Sequence, residues 1–518
     1  MRLVKISSNK IQIRSNDKEF GNIRINDLLQ VSDESVALIV MVTDIKNTED
    51  EEDGFEGLPF ANIISMKEID CSIIGSVTGG LFSSTIEKYP TTDVTIHQIG
   101  ADEFESMLAK YEEHGFCIGK YTEYGSNAFI NGNKLFQRHA CIVGNTGSGK
   151  SETVAKILEE VSKLPGANVI VFDIHGEYGE ISYANSIKIG KDFPIPIWMF
   201  GFNSIVADIL KIKEESATVV MTALRKAYYK VCSDGSENKP IYFDYRAFIA
   251  ALEYLNEEMV GTGEFYKTGE KAGQEKQIKG DYNGKLSSVI NQLKDRFNDS
   301  RYQFLFSEHG QEYLNVVIEA LFSSDKPVKN IDLSDIPHDV AIPVIGVLVR
   351  LAYDIQKYFG RDNIRPLVFF CDEAHVYIPN NFQLSASQQR MVAVFEEIAK
   401  EGRKFGITLF PATQRPSELN KTILAQCGNF IVMKLNNEND KAIIKSMLPD
   451  GNDSIVDSTT MFMPGDALVI GDASPIPIKI KVCLASERPL SRTIEFWDEW
   501  KKKKIFQLGN CVEEYLRS

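Results

Sequence analysis

Short alternations of apolar and polar residues fill the first part of the chain, and turn residues separate them. They occur at 10–14, 36–43, 63–69 and 71–77. Alternation of this kind is typical of strands that bury one face. Several short strands at this spacing predict a small β-barrel or sandwich, so we expect an N-terminal β-barrel domain over residues 1–120.

From about residue 140 the pattern changes to apolar runs of strand length that alternate with helical periodicity. Strands that alternate with helices predict an α/β fold, in which a parallel sheet carries helices on both faces. We assign this core to residues 121–200 and 327–485. The predicted strands are 140–143, 168–172, 328–333, 366–371, 406–411 and 430–435, and the helices include 152–164 and one that ends near 403.

The section between the two halves of the core has helical periodicity, for example at 205–231 and 242–255, and predicts a helical insertion over 201–326. A glycine-rich loop at 261–284 interrupts it. Such a loop can line a pore that grips phosphates, or it can be a solvated loop without a partner. The loop and the residue that follows it carry five lysines: Lys267, Lys271, Lys276, Lys279 and Lys285. We expect residues 486–518 to form a C-terminal tail.

One glycine-rich segment between a predicted strand and a predicted helix has the spacing of a Walker A phosphate-binding loop. Glycines let successive backbone N–H groups face a phosphate, and the helix that follows adds its positive end. In this motif the lysine reaches the β- and γ-phosphates and the serine hydroxyl ligates Mg²⁺. We expect ATP and Mg²⁺ as cofactors. The predicted binding residues are Gly144, Asn145, Thr146, Gly147, Ser148, Gly149, Lys150, Ser151 and Glu152.

An apolar strand at 367–371 ends in two carboxylates, Asp372 and Glu373. The alternative is a buried strand with an acidic cap, but the loop upstream favours a Walker B strand. Asp372 would then hold the water shell of the metal, and Glu373 would polarise the attacking water. A carboxylate at the second position separates the chain from P-loop kinases and GTPases and predicts hydrolysis.

The strand at 406–411 leads to polar residues that could touch a γ-phosphate. Gln414 is our first choice for this sensor and Thr413 the second, although either could be a simple turn residue. A cation on the developing charge often comes from a neighbouring subunit. Arg403 is the leading candidate; Arg138 and Arg415 compete with it, and each could merely pair with a surface carboxylate.

Asp173, His175 and Glu177 follow the second core strand. Asp173 could orient the water or the metal shell from the far side of the pocket, or it could cap the turn. A zinc site is not expected, because no second cluster offers the remaining ligands.

Composition narrows the class of protein. The chain has 518 residues, 43% hydrophobic and 25% charged, which is typical of a soluble globular protein. It lacks a signal-peptide core and an apolar run of membrane length, so we expect a cytoplasmic protein. The eight cysteines are scattered singly, as in reduced proteins. A net charge of −15 argues against a monomer that coats nucleic acid through a broad basic face.

The motifs together resemble those of the HerA-type ATPases, which belong with FtsK-like translocases among P-loop NTPases that have an additional strand and a catalytic glutamate. The resemblance covers roughly residues 120–485. The motifs, in the order expected, are GNTGSGKS, VFDIHGEYGE, FFCDEAH, EGRKFG, ATQRPSELNKTILAQCGNFIVMKL and MPGDALVIG.

The resemblance implies a RecA-like ATPase core in a homohexamer, with ATP between subunits and double-stranded DNA in the central channel. Lys150, Ser151, Asp372 and Glu373 would carry hydrolysis, Gln414 would be the sensor, and Arg403 or Arg138 would complete the neighbour's site. Family members work with a nuclease in end resection or with an NADase-type or other effector in antiphage defence. Two further hypotheses stay open: a nucleotide-gated scaffold for a partner enzyme, and a motor for a protein or pilus substrate.

Overall fold

The computed structural model describes residues 1–16, 23–51, 63–91, 93–212, 218–232, 236–323, 325–360, 363–380, 384, 386–448, 453–491, 496–502, 509 and 512. The predicted strands at 63–69 and 71–77 are one strand, β5. Asp70 interrupts the apolar pattern there, yet it stays in the strand because its carboxylate accepts hydrogen bonds from Gln12 and Lys46 on neighbouring strands. The N-terminal strands are β1 (Arg2–Ile6), β2 (Lys10–Asn16), β3 (Leu28–Ser32), β4 (Ala37–Glu51), β5 (Ile63–Thr78), β6 (Leu81–Ser83) and β7 (Thr95–Gln98).

These strands form one antiparallel sheet in the order β1–β2–β5–β4–β3–β7, with β6 added to β5. One face buries its own apolar core from β2, β3, β4 and β5. The opposite face joins the main core through Leu28, Ile39 and Met41. The edge strands β1 and β7 do not pair with each other among the described residues, so closure into a barrel stays a prediction. Of the acidic stretch 48–56, residues 48–51 end β4 and the rest lies outside the described residues.

The second sheet has 11 strands and forms the body of the molecule. Its order is β12–β15–β11–β16–β17–β10–β18–β19–β20–β8–β9, and every pair from β12 to β18 is parallel. The pairs from β18 to β9 are antiparallel, so the predicted parallel sheet is in fact a mixed one. Its strands are β8 (Gly115–Tyr121), β9 (Asn127–Asn131), β10 (His139–Val143), β11 (Val169–Asp173), β12 (Ala184–Lys188), β15 (Val328–Asp332), β16 (Leu367–Cys371), β17 (Ile407–Thr413), β18 (Cys427–Val432), β19 (Asp466–Gly471) and β20 (Lys479–Val482).

The parallel strands β10, β11, β15 and β16 are buried along their whole length, as expected for strands covered by helices on both faces. The helices are α1 (Ala101–Leu108), α2 (Gly132–Gln137), α3 (Lys150–Ser162), α4 (Gly201–Ser204), α5 (Thr218–Val231), α6 (Tyr245–Glu257), α7 (Ser287–Asn298), α8 (Tyr313–Phe322), α9 (His338–Tyr358), α10 (Ala386–Glu401), α11 (Lys421–Gln426), α12 (Glu438–Met447), α13 (Asp453–Ser458) and α14 (Phe496–Lys501).

The section 201–326 contains α4 to α8 and differs from the sequence expectation in two places. The predicted helix at 205–231 is a π-helical turn at Ile205–Ile209 and then α5, with 213–217 outside the described residues. The glycine-rich loop is a hairpin of β13 (Met259–Phe265) and β14 (Glu275–Lys279), and β13 is exposed throughout. The limits of the predicted domains stay predictions. No described helix is long and apolar enough to cross a membrane.

Candidate active site

The glycine-rich loop at 144–149 lies at the carboxyl edge of the parallel strands, between β17 and β18. Gly144 N donates to Thr413 O at 3.3 Å, and Asn145 N donates to Lys434 O at 2.9 Å. The carboxyl ends of parallel strands meet at the same edge of a sheet. The loop is therefore beside the ends of β11, β16 and β17, which carry the other predicted site residues.

The backbone of the loop requires its glycines. Gly147 and Gly149 have φ of 73° and 101°, values that a residue with a Cβ rarely adopts. Gly149 leads directly into the first turn of α3, where Thr153 N donates to Gly149 O at 2.9 Å. The N–H groups at the start of α3 and the positive end of its dipole make this turn suitable for binding a phosphate.

Lys150 is only 8% exposed and faces carboxylates rather than solvent. Burial lowers its pKa, and the negative charges of Glu373, Asp372 and Glu177 oppose that shift. Burial, together with the neighbouring carboxylates Glu373 and Glu177, raises the pKa of Asp372 to about 8. The ammonium group of Lys150 is a single positive charge beside three carboxyl groups, so the pocket favours the binding of a further cation.

A chain of side-chain hydrogen bonds connects the loop to the end of β16. Thr146 Oγ1 donates to Gln414 Oε1, and Gln414 Nε2 donates to Glu373 Oε1. The predicted sensor and the predicted catalytic carboxylate are therefore in direct contact. Glu373 has φ of 44°, a left-handed conformation that costs an ordinary residue about 1 kcal/mol or more.

His375 lies on the other side of Glu373. Its Nδ1 is 3.3 Å from Glu373 Oε2 and 3.1 Å from Thr413 Oγ1. Burial lowers the pKa of His375, and the Glu373 carboxylate opposes that shift. Thr413, our second choice for the sensor, thus contacts His375, whereas Gln414 contacts Glu373.

Asp173 is fully buried, and its oxygens bind the turn that follows β11. Oδ1 accepts from Glu177 N at 3.0 Å, and Oδ2 accepts from Tyr178 N at 2.9 Å and from Asn330 Nδ2 at 3.2 Å. Of the two roles that the sequence left open, this geometry corresponds to the turn cap. The residue that the turn brings to the pocket is Glu177.

Glu177 faces the Ser151 hydroxyl at the start of α3. Burial raises the pKa of Glu177, and its hydrogen bond with Ser151 opposes that shift. Its Oε2 is buried and has no hydrogen-bond partner among the described residues. A carboxylate oxygen in this state suits a cation or the water molecules around one.

The donor set fits Mg²⁺ in a particular way. Among the described residues, no group of three or more histidine, cysteine, aspartate or glutamate side chains could hold a metal by itself. Mg²⁺ usually binds one or two protein oxygens and completes its shell with water and substrate phosphates. Ser151 and Asp372, with the unpartnered oxygen of Glu177 nearby, match that requirement.

Comparison with known proteins agrees with the motifs and the geometry. Residues 116–352 match the family model described as "Helicase HerA, central domain". This part of the chain is similar to the HerA central domain. The match includes the phosphate-binding loop and the Asp173–Tyr178 turn, and it ends before β16, which carries Asp372 and Glu373.

Similarity to individual proteins extends over more of the chain than that match. The "DNA double-strand break repair helicase HerA" of Saccharolobus solfataricus is 29% identical over 399 residues, which cover 75% of this chain and 71% of that protein. A "probable helicase" of Methanocaldococcus jannaschii is 27% identical over 385 residues, 73% of this chain and 68% of that protein. VirB4 of Thermoanaerobacter pseudethanolicus aligns with a TM-score of 0.48 and 15% identity, over 72% of this chain and 97% of that one.

The candidate arginines lie at two different edges of the sheet. Arg138 immediately precedes β10, so a strand of five residues, about 16 Å, separates it from the loop of its own subunit. Its side chain is 54% exposed and pairs with Asp472 at 2.7 Å. Arg403 is exposed in the turn before β17, at the same amino edge. Arg415 lies at the carboxyl edge and pairs with Glu418 at 2.9 Å.

Two residues of this site, His375 and Glu177, have no role of their own in the prediction from sequence. His375 belongs to the FFCDEAH motif but received no role, and Glu177 was grouped with Asp173 without being chosen as a site residue. In the sequence, the signal for His375 is its position as a polar residue two places after the paired carboxylates. The sequence does not show that Glu177 lies close to Ser151, because that distance depends on the fold.

Proposed function

We propose that the chain hydrolyses ATP as a subunit of a homohexameric ring and translocates double-stranded DNA through the central channel. The contact from Thr146 through Gln414 to Glu373 supports hydrolysis most strongly, because it joins the phosphate-binding loop to a carboxylate that can polarise water. The names of the relatives, which include DNA double-strand break repair helicases, support DNA as the substrate.

Each residue has a role in this proposal. The loop and Lys150 bind the β- and γ-phosphates, and Glu373 accepts a proton from the attacking water as that water meets the γ-phosphate. Gln414 exchanges its contact with Thr146 for one with the γ-phosphate and so reports its presence to Glu373. Asp173 holds the turn that positions Glu177.

Mg²⁺, when bound, would neutralise charge on the phosphates. Ser151 would ligate it directly, and Asp372 and Glu177 would hold its water molecules. In this proposal the site of one subunit still needs a cation that stabilises the charge developing on the γ-phosphate. Arg403, or Arg138, supplies that cation to the neighbouring subunit, because both residues lie at the edge remote from their own loop.

We also propose that the ring serves a separate enzyme, a nuclease or an NADase-type effector of antiphage defence, and acts in the cytoplasm. The described residues offer no cluster of three or more acidic, histidine or cysteine side chains that could hold the metal of a nuclease. In this proposal, cutting or modifying the DNA is the task of that other enzyme.

The second candidate is a nucleotide-gated scaffold that assembles and activates a partner enzyme without moving DNA. The net charge of −15 favours it, since DNA binding relies on positive charge near the phosphates. In that case ATP hydrolysis would respond to the partner protein rather than to DNA.

The deciding experiment measures ATP turnover of the full chain with and without duplex DNA, using Glu373→Gln as the reference for lost hydrolysis. We expect DNA to raise turnover several-fold, and Glu373→Gln to lower it about 100-fold or more while ATP still binds. Stimulation by a partner but not by DNA would favour the scaffold. Near-normal turnover of Glu373→Gln would overturn the role of Glu373.

A further inference from the structure

Two methionines beside the phosphate-binding loop are exposed to an unusual degree. Met461 is 84% exposed and Met463 is 64% exposed, whereas Phe462 between them is buried. Single exposed apolar residues are common and need no explanation. Two such side chains in one turn, whose last residue contacts the phosphate-binding loop, require one.

The turn at 461–465 is fixed to the loop by short contacts. Gly465 N donates to Ser148 O at 2.8 Å. A Cβ placed on Gly149 would lie 3.1 Å from Gly465 N, so the two backbones touch. The turn therefore packs on Gly149, the residue immediately before α3.

The turn is also rigid in itself. Met463 N donates to Asp466 Oδ2 at 3.0 Å, and Asp466 N donates to Met463 O at 2.9 Å. Lys481 Nζ donates to Pro464 O at 2.7 Å and pairs with Asp466 at 3.1 Å. A surface held in this way needs little reorganisation when a ligand binds.

The position of the turn indicates which part of a nucleotide would meet it. On the β17 side of the loop, Thr146 contacts Gln414 and, through it, Glu373. The turn lies on the opposite side, next to β18 and β19, where it meets Ser148 and Gly149. A triphosphate laid along the loop with its γ-phosphate at Glu373 directs its α-phosphate, and the nucleoside attached to it, toward the turn.

We propose that the turn at 461–465 binds the nucleobase of the triphosphate, with the side chains of Met461 and Met463 against the face of the base. Thioether sulfur and methyl groups make favourable contacts with aromatic rings, and an unbranched side chain adapts to the shape of a base. This inference rests on the proposed binding of ATP at the loop.

The test compares two ligands that differ only in whether they carry a nucleoside. In the full-length Glu373→Gln background, where ATP is not consumed, titration calorimetry gives the affinities for ATP and for inorganic tripolyphosphate, both with Mg²⁺. The test variant is Met461→Ser with Met463→Ser, which removes the contacts without adding charge. The matched control is Met461→Leu with Met463→Leu.

We expect the serine pair to weaken ATP binding about tenfold and to leave tripolyphosphate binding unchanged, while the leucine pair retains most of the ATP affinity. The proposal is overturned if ATP affinity stays the same, or if both ligands weaken equally. Loss of subunit assembly in native mass spectra with unchanged ATP affinity would also overturn it, because a neighbouring subunit would then cover the turn. Failure of the parent to bind ATP would instead remove the proposed function itself.

Discussion

Asp173 and Glu373 show how single side chains build this pocket from opposite sides. Glu373 stands in a left-handed conformation with φ of 44°, and hydrogen bonding to Gln414 helps to hold it there. Asp173 is buried and accepts three hydrogen bonds, two of them from backbone N–H groups. In the proposed reaction Glu373 polarises the water, whereas Asp173 fixes the backbone that carries Glu177.

Replacing Asp173 by asparagine should destabilise the protein and slow ATP hydrolysis. An amide can accept on one side only, so its NH₂ group would face a backbone N–H and leave a buried donor without an acceptor. We expect a loss of about 1–3 kcal/mol in the free energy of unfolding, measured by urea denaturation. The control is Asp335→Asn, whose parent side chain is 61% exposed. Equal stability of the two variants would contradict the capping role.

The motif residues could be predicted because their spacing along the chain carries chemical information. The glycine-rich loop, the paired carboxylates and Gln414 follow strands that the apolar pattern also reveals, and parallel strands bring them to one edge. The bond from Thr146 to Gln414 joins residues 268 positions apart, and the contact of Glu177 with Ser151 is equally invisible in the sequence. Such contacts depend on the order of strands in the sheet.

Among the elements, the strands and helices around the loop agree with the periodicity, and the discrepancies have local causes. Asp70 interrupts an apolar pattern but lies inside β5, where polar partners on adjacent strands satisfy it. The hairpin of β13 and β14 was not predicted, since its glycines and lysines are typical of loops. The antiparallel strands β8 and β9 join the sheet through β20, far away along the chain.

The hairpin offers a test of how DNA is held. Lys267 and Lys271 lie between its strands and have no ion-pair partner among the described residues, whereas Lys276 pairs with Glu264 at 3.0 Å. If the tip grips phosphates, Lys267→Ala with Lys271→Ala should reduce the slope of log affinity against log salt by about 1.8 for duplex DNA. The measurement is a salt series of fluorescence anisotropy titrations.

The control for this prediction removes the same charge elsewhere. Lys5→Ala with Lys10→Ala changes two exposed lysines of the N-terminal sheet. If the two pairs of variants behave alike, the hairpin has no special role in DNA binding. Because all four lysines are exposed, neither pair should alter the unfolding midpoint.

For the whole molecule, the two edges of the sheet divide the proposed chemistry between subunits. Each chain has the loop, Asp372 and Glu373 at the carboxyl edge, and Arg138 and Arg403 at the amino edge. In a closed ring each subunit meets the next through two different surfaces, and in the proposed ring these are the two edges of the sheet. A single chain would then bind the nucleotide but hydrolyse it poorly.

The measurement that tests this claim most directly mixes two inactive chains and follows ATP turnover. One chain carries Glu373→Gln, and the other carries Arg138→Ala with Arg403→Ala. In a random one-to-one ring, about a quarter of the interfaces combine an intact carboxylate with an intact arginine from the neighbour. We predict that each chain alone is inactive and that the mixture regains a corresponding part of the normal rate. A mixture as inactive as its parents, or a double arginine variant with full activity, would contradict the account.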